Sequence, residues 1–353
     1  MTLGDCTEYT ATTIVSYPNG GRVSYSPVRG RLLADRADVD NVWRLVSYLP
    51  DGSMMTELNI THPDLPAGAH RGNPHWSPDG DWFIFQAATY VDHLGATPGF
   101  STPGLGLAND IYIANANTLE VTRMTDIVNG AAGVLHPHFN HDGTRVWWSR
   151  KMAGRSGRWF IEAADIAFPD DVPTLSNRKL YLPMGNGLYE THSFSPTGVQ
   201  GLFSFTSAGT TDVPGLNLYR CSATNFYSGL VAIEQDHDPD NHWHEHGQFM
   251  LNGSHIFFMG SRNSAFYPWG NLQSDVYRIS NSTPPTGLAT QVTRTMSPAD
   301  GTYRNGVAHP VCGDMSFRDN DAVYLYIFNN GPDADEYAGR KTRPGEIVLV
   351  TCA

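Results

Sequence analysis

Lysine is almost missing from this chain: Lys151, Lys179 and Lys341 are the only three, and Lys and Arg together number 23 against 35 Asp and Glu. A surface with a formal net charge of −12 repels phosphate backbones and anionic lipid, so nucleic acid and membrane surfaces are excluded as partners. Charged residues make up only 16% of the chain. No apolar run approaches the roughly 18 residues of a membrane-spanning helix. Cysteine is scarce, and Cys6, Cys221, Cys312 and Cys352 include no Cys-x-x-Cys pair, which argues against a structural zinc site. No Gly-x-Ser-x-Gly nucleophile elbow and no dinucleotide or phosphate loop is present. The opening residues are polar and do not form a signal peptide.

Turn chemistry is what the chain has in abundance. Its 353 residues include 35 Gly and 23 Pro. They are organised by a repeat whose core is aromatic-Ser-Pro-Asp-Gly followed by an apolar strand. The clearest copy is Trp76-Ser77-Pro78-Asp79-Gly80 with Trp82-Phe83-Ile84-Phe85. Others start at Tyr25, Phe139, Phe194 and Phe249, in steps of 51, 63, 55 and 55 residues, and a decayed last copy opens at His309-Pro310-Val311. Each is followed by further strand patterns, such as Asp110-Ile111-Tyr112-Ile113 and Asp275-Val276-Tyr277-Arg278.

Four antiparallel strands per unit of roughly 40–60 residues predict an all-β propeller. Six blades fit the copies, with seven as the alternative, in one domain over residues 1–353. A β-sandwich is the competing all-β fold. The segment from Tyr9 to Tyr17 is expected to supply the outer strand of the last blade, closing the ring with strands from both termini. Sharing a sheet would bring Cys6 to Cys352 for a disulfide; otherwise all four cysteines stay free thiols.

The histidines follow the same register. One residue before the key aromatic lie His75, His138, Ser193 and Gln248; two before lies His192; three before lie Asn73, His136, Thr191 and His246. Residues one and three before the aromatic share a strand face. First strands line a propeller's channel, so these side chains should converge on one axis. His136, His138, His246 and Gln248 form the preferred ligand set for a divalent metal, with His75 and His309 in reserve. Imidazole suits Mn, Zn, Fe or Cu, and Ca is a further alternative. A metal-free polar channel is the competing reading. His62, His93, His237 and His255 fall outside the register. Asp236-His237-Asp238-Pro239-Asp240 reads as an acidic turn. Phe266-Tyr267-Pro268-Trp269-Gly270 is an aromatic loop that could stack on a sugar or cap a blade. The Gly/Pro-rich stretch from Asp92 to Asn109 has the form of a lid.

The Trp-Ser-Pro-Asp-Gly element resembles that of the TolB-like propellers. Within that family, Thr191-His192-Ser193-Phe194, His136-Pro137-His138 and Ala69-His70-Arg71 resemble elements of the oligogalacturonate lyases. The chain departs from those enzymes at Gly133, where they carry a metal-binding Gln, and at Val311, in place of a second His. The resemblance implies a manganese-type centre with His192 as catalytic base, Arg71 as carboxylate partner and Tyr189 as acid. It implies β-elimination on an acidic oligosaccharide. The alternatives are a non-enzymatic propeller binding a glycan or peptide at the channel mouth, and a redox or hydrolytic metalloenzyme. A monomer is expected, in an extracellular or periplasmic setting, with the cytoplasm as alternative.

Overall fold

Each repeat is built from its turn. In the second copy the Ser77 hydroxyl bonds the Asp79 carboxylate at 2.5 Å and accepts the Trp82 N–H at 3.0 Å. Asp79 also accepts the Asp81 N–H at 3.0 Å, and Gly80 takes φ 75°. Glycine meets the positive φ without steric cost, and the short side chains satisfy the turn's own N–H groups. Gly143, Gly198 and Gly253 repeat this at φ 73°, 70° and 71°.

The computed structural model describes residues 2–17, 20–37, 42–89, 101, 103–104, 106–127, 132–153, 158–207, 216–233, 243–261, 274–282, 289–294, 310–329 and 345–353. They form six four-stranded antiparallel sheets, arranged as the blades of a propeller. The first strands are Gly20–Ser26, Arg71–Trp76, Gly133–Phe139, Leu188–Phe194, Trp243–Phe249 and Pro310–Phe317, numbered here as blades one to six. Each contacts the first strand of the next blade, and the sixth contacts the first, so these strands line the axis. The only helical element among the described residues is a single turn at Pro169–Asp171.

Blade six is closed as the sequence predicts. Tyr9–Tyr17 pairs antiparallel with Gly345–Cys352, from Tyr9 opposite Cys352 to Tyr17 opposite Gly345. Cys6 and Cys352 form a disulfide with Cα atoms 5.8 Å apart, while Cys221 and Cys312 are buried outside it. The core lies between the blades, where Trp147, Trp148, Phe83, Phe203 and Phe257 are fully buried. Burial of rings this large is the main stabilising term in the fold.

Two polar devices recur. Asp110 in blade two and Asp275 in blade five each accept a hydroxyl from two residues past the following strand: Thr125 at 2.6 Å and Thr293 at 2.7 Å. This explains the Thr-rich pieces that follow these strands. At the axis, the residue before the key aromatic accepts the backbone N–H of the next blade's aromatic. Ser24 takes Trp76 (3.2 Å), His75 takes Phe139 (3.5 Å), Ser193 takes Phe249 (3.1 Å) and Ser316 takes Tyr25 (2.9 Å).

The last copy is offset from its expected start. Its key aromatic is Phe317, at the end of a strand that begins at Pro310. The turn that follows, Arg318-Asp319-Asn320-Asp321, has lost Ser, Pro and Gly. In-register positions of blade six are therefore Asp314 and Ser316. His309 stands before the strand and lies outside the described residues, as do His93, His237, His242, Asp236–Asp240 and Phe266–Gly270.

Candidate functional site

A β-bulge interrupts every first strand, within one residue of the same place. Pairing with the second strand shifts between Gly20 and Val23, Gly72 and His75, Leu135 and His138, Thr191 and Phe194, Glu245 and Gln248, and Cys312 and Met315. A bulge leaves its residues off the ladder and re-aims their side chains. Here it releases Arg22, Asn73, His136, His192, His246 and Asp314, one from each blade. Asn73, His136 and His246 hold φ of 51°, 52° and 54°. That region is uncommon for residues other than glycine, and such strain gathers at functional sites.

These residues meet. The rings of His136, His192 and His246 form a near-equilateral triangle, with centroids 6.1, 5.8 and 5.9 Å apart. Arg22 Nη2 lies 3.1 Å from His136 Nε2, and Arg22 Nε 3.3 Å from Asp314 Oδ2. His246 pairs through Nδ1 with Asp314 and through Nε2 with Glu245 at 3.2 Å. Glu245 bonds in turn to Glu190, the residue at the same position of blade four. Asp35, fully buried, accepts the bulge N–H groups of Arg22 and Asn73, both at 2.8 Å, and ties blade one to blade two.

The protonation pattern follows from burial and charge. Burial, reinforced by Arg22, holds His136 well below the ordinary imidazole value. Burial and the charge on His246 lower His192 to about 3. Burial opposes charge on His246 as well, but Asp314 and Glu245 overcome it and raise the ring to about 10. Glu190 is pushed well above the carboxylate range by burial and by Glu245 beside it, and burial raises Asp35 to about 6. The cluster thus sets four carboxyl groups, Asp35, Glu190, Glu245 and Asp314, against one permanent cation, Arg22. It offsets them in part by retaining protons on His246 and Glu190.

His192 has a defined tautomer. Ser204 donates its hydroxyl to the His244 carbonyl at 2.8 Å, so it accepts from His192 Nε2 at 2.7 Å. The lone pair of His192 is on Nδ1. Below the triangle a cavity of about 30 Å³ is lined by Asn73, His75, His136, His138, Gln248 and Asp314, among others. That is room for about two waters. The Nδ1 atoms of His136 and His138 are buried without a partner.

Of the residues singled out in the sequence, His136, His192 and His246 come together, and His75, His138 and Gln248 line the cavity beneath. Arg71 lies instead beside Arg44 and Glu57, donating to the Ala69 and Ile60 carbonyls at 3.3 Å. The Tyr189 hydroxyl donates to the Gly185 carbonyl at 2.8 Å and accepts the Met184 N–H at 2.9 Å, which fastens a turn within its own blade. Neither has a contact with the His192 side chain among the described residues. Arg22 and Asp314, three residues before Tyr25 and Phe317, join the cluster without being among those singled out. The described end of the Gly/Pro-rich stretch packs on this mouth of the channel. Asn73 and Gln86 donate to the Pro103 carbonyl at 3.0 and 3.2 Å.

The donor set suits a divalent cation in its charge: anionic charge exceeds fixed cationic charge, and two imidazoles are held neutral. Among the described residues, no three His, Cys, Asp or Glu side chains already converge tightly enough on one point to hold it.

No protein-family model and no curated protein matches the chain. Solved structures do. TolB from Acinetobacter baumannii superimposes with a TM-score of 0.51 at 14% identity, over 91% of this chain and 64% of that one. A putative TolB from Agrobacterium tumefaciens gives 0.52 at 14%, over 80% and 87%. An oligogalacturonate lyase in complex with manganese gives 0.50 at 12%, over 98% and 91%. The chain thus spans a little under two thirds of the first of these proteins and most of the other two. At such identities the likeness concerns fold: this chain has the fold of the TolB-like β-propellers.

Proposed function

We propose that the chain is a metal-dependent carbohydrate-active enzyme, a lyase acting by β-elimination on an acidic oligosaccharide at the axial site. One observation carries the reading. Imidazoles from blades three, four and five meet on the axis beside a carboxylate from blade six, in a cluster short of positive charge. The oligogalacturonate lyase with bound manganese, whose fold this chain shares, supports the choice of chemistry.

His246, Asp314 and Glu245 are the residues that would hold the ion. A divalent cation bound there supplies positive charge that neutralises a uronate carboxylate and makes the neighbouring C5 proton removable. Arg22 orients the anionic group. His192 is the base: Ser204 fixes its Nε2–H, burial keeps it unprotonated at neutral pH, and an anionic substrate beside it raises its basicity. The bulge holds the ring in place, and Trp147 Nε1 donates to the His192 carbonyl at 2.9 Å. The Cys6–Cys352 disulfide supports an extracellular or periplasmic setting, since such bonds persist in oxidising compartments.

A second reading, a glycan- or peptide-binding propeller without catalysis, is favoured by the closure of the channel. Among the described residues, the cavity of about 30 Å³ beside Asn73, which donates to the Pro103 carbonyl, is too small for a sugar ring. Near-ultraviolet absorbance of the unsaturated uronide product separates the two. Incubation with oligogalacturonate and Mn²⁺ is expected to yield that chromophore. His192→Ala should lower the rate by at least about 100-fold while leaving metal content unchanged. A protein that takes up no divalent metal and forms no product is a binding module.

A further inference from the structure

Charge is unevenly distributed over the blades. The chain carries 23 basic and 35 acidic residues, yet from Gly133 to Tyr181, the span of blade three, the count is seven against five. Within this blade the two signs are separated. Asp142, Asp165, Asp170 and Asp171 lie toward the end away from the channel mouth, where Asp165 is opposite Arg145. Above them Glu162 is the only acidic residue, among Arg150, Lys151, Arg158, Arg178 and Lys179. Arg155 lies outside the described residues.

The register ties this upper end to the axis. Gly133, which begins the strand that carries His136, pairs with Lys151, and Lys151 with Trp159, next to Arg158. Neighbouring strands lie about 4.8 Å apart, so a line leading outward from the channel mouth crosses Lys151 at one strand and Arg158 at two. Lys179 is opposite Ala163, on the exposed outer strand. Trp159 and Ala163 are four residues apart on one strand, a rise of about 13 Å. The even spacing puts Lys151 and Lys179 on the same face of the sheet.

These cations are short of partners. Glu162 is shared by Arg150 Nη1 at 3.1 Å and Arg178 Nη2 at 2.8 Å, which leaves one guanidinium charge unmatched. Lys151, Arg158 and Lys179 form no ion pair among the described residues. Burial lowers the pKa of Lys151, and no carboxylate opposes it. A bound anion would offset that burial cost.

We propose that the rim of blade three is a docking surface for a carboxylated polysaccharide. The polymer runs outward from the axial mouth over Lys151 and Arg158 and down the outer edge past Lys179. Cations strung along a line suit a chain that bears a carboxylate on each sugar better than they suit one small anion. The acidic surface elsewhere repels the same polymer and confines it to this blade. The proposal rests on the reading of an acidic saccharide as ligand, and not on its cleavage.

The test is affinity electrophoresis of the full chain through gels holding polygalacturonate or its methyl ester, which has the same backbone without the charge. A chelator in the gel keeps metal at the axis from contributing. Polygalacturonate should retard the wild type, less so as salt rises, and the ester should not. Replacing all three, Lys151→Ala, Arg158→Ala and Lys179→Ala, should weaken binding about 10-fold. Lys179→Glu alone, on the exposed outer strand, should weaken it in the same direction. Arg318→Ala, whose guanidinium pairs with Asp319 in the turn of blade six, should change nothing. No retardation of the wild type, equal retardation by the ester, or retardation that survives the triple variant overturns the proposal. Retardation by polygalacturonate without any unsaturated product once Mn²⁺ is restored counts against the lyase reading and leaves this surface standing.

Discussion

At the scale of single residues, the axial cluster is a problem of charge. His192 is buried neutral, with its pKa lowered to about 3 from the ordinary 6.5. The folded protein therefore refuses a proton that the unfolded chain accepts between pH 6.5 and 3. The stability this contributes is complete above pH 6.5 and is lost as the pH falls through that window, up to about 5 kcal/mol at 1.36 kcal/mol per unit. Urea midpoints measured at pH 7, 5 and 4 should fall steeply for the wild type and less steeply for His192→Asn, which cannot ionise. Parallel slopes for the two proteins would show that His192 is not buried in its neutral form.

Arg22 and Asp314 show what was legible at this scale and what was not. Counting three residues back from Tyr25 reaches Arg22, so that signal was available in the sequence. Asp314 was hidden because its turn has lost every residue that marks the repeat. The step from Phe249 to Phe317 is also longer than any other. Glu190 and Glu245 lie four residues before their aromatics, where strict strand alternation assigns them to the opposite face. A bulge adds a residue and breaks that alternation, and nothing local in the sequence announces it.

Among the elements, the turn and the closing strand matter most. Turns were readable because Ser-Pro-Asp-Gly has few alternatives to the conformation it adopts. The closing strand was readable because a ring with a free edge invites pairing by other chains. The disulfide reinforces that closure across a sequence separation of 346 residues. Restricting so long a loop in the unfolded chain is worth on the order of 5 kcal/mol in the chain-entropy model. Cys6→Ser should lower the melting temperature by several degrees and abolish its sensitivity to reductant, while the β-sheet circular dichroism remains. Equal melting temperatures with and without reductant in the wild type would mean that the bond does not hold the ring shut.

For the whole molecule, six bulges at one level turn a repeat into a site. Each blade contributes at least one side chain to the axis. No blade could assemble the cluster alone, and only ring closure fixes their spacing. The sequence showed which residues share a register; it could not show that some of them are already paired with carboxylates. That pairing yields the central claim, that protons on His246 and Glu190 stand where a divalent cation would bind. Metal binding displaces protons from such ligands. The direct measurement is calorimetric titration of the metal-free protein with Mn²⁺ at pH 7, repeated in buffers of different ionisation enthalpy. Stoichiometric binding with release of about one proton or more per ion is the predicted result. No binding, or binding whose heat is the same in every buffer, would contradict it.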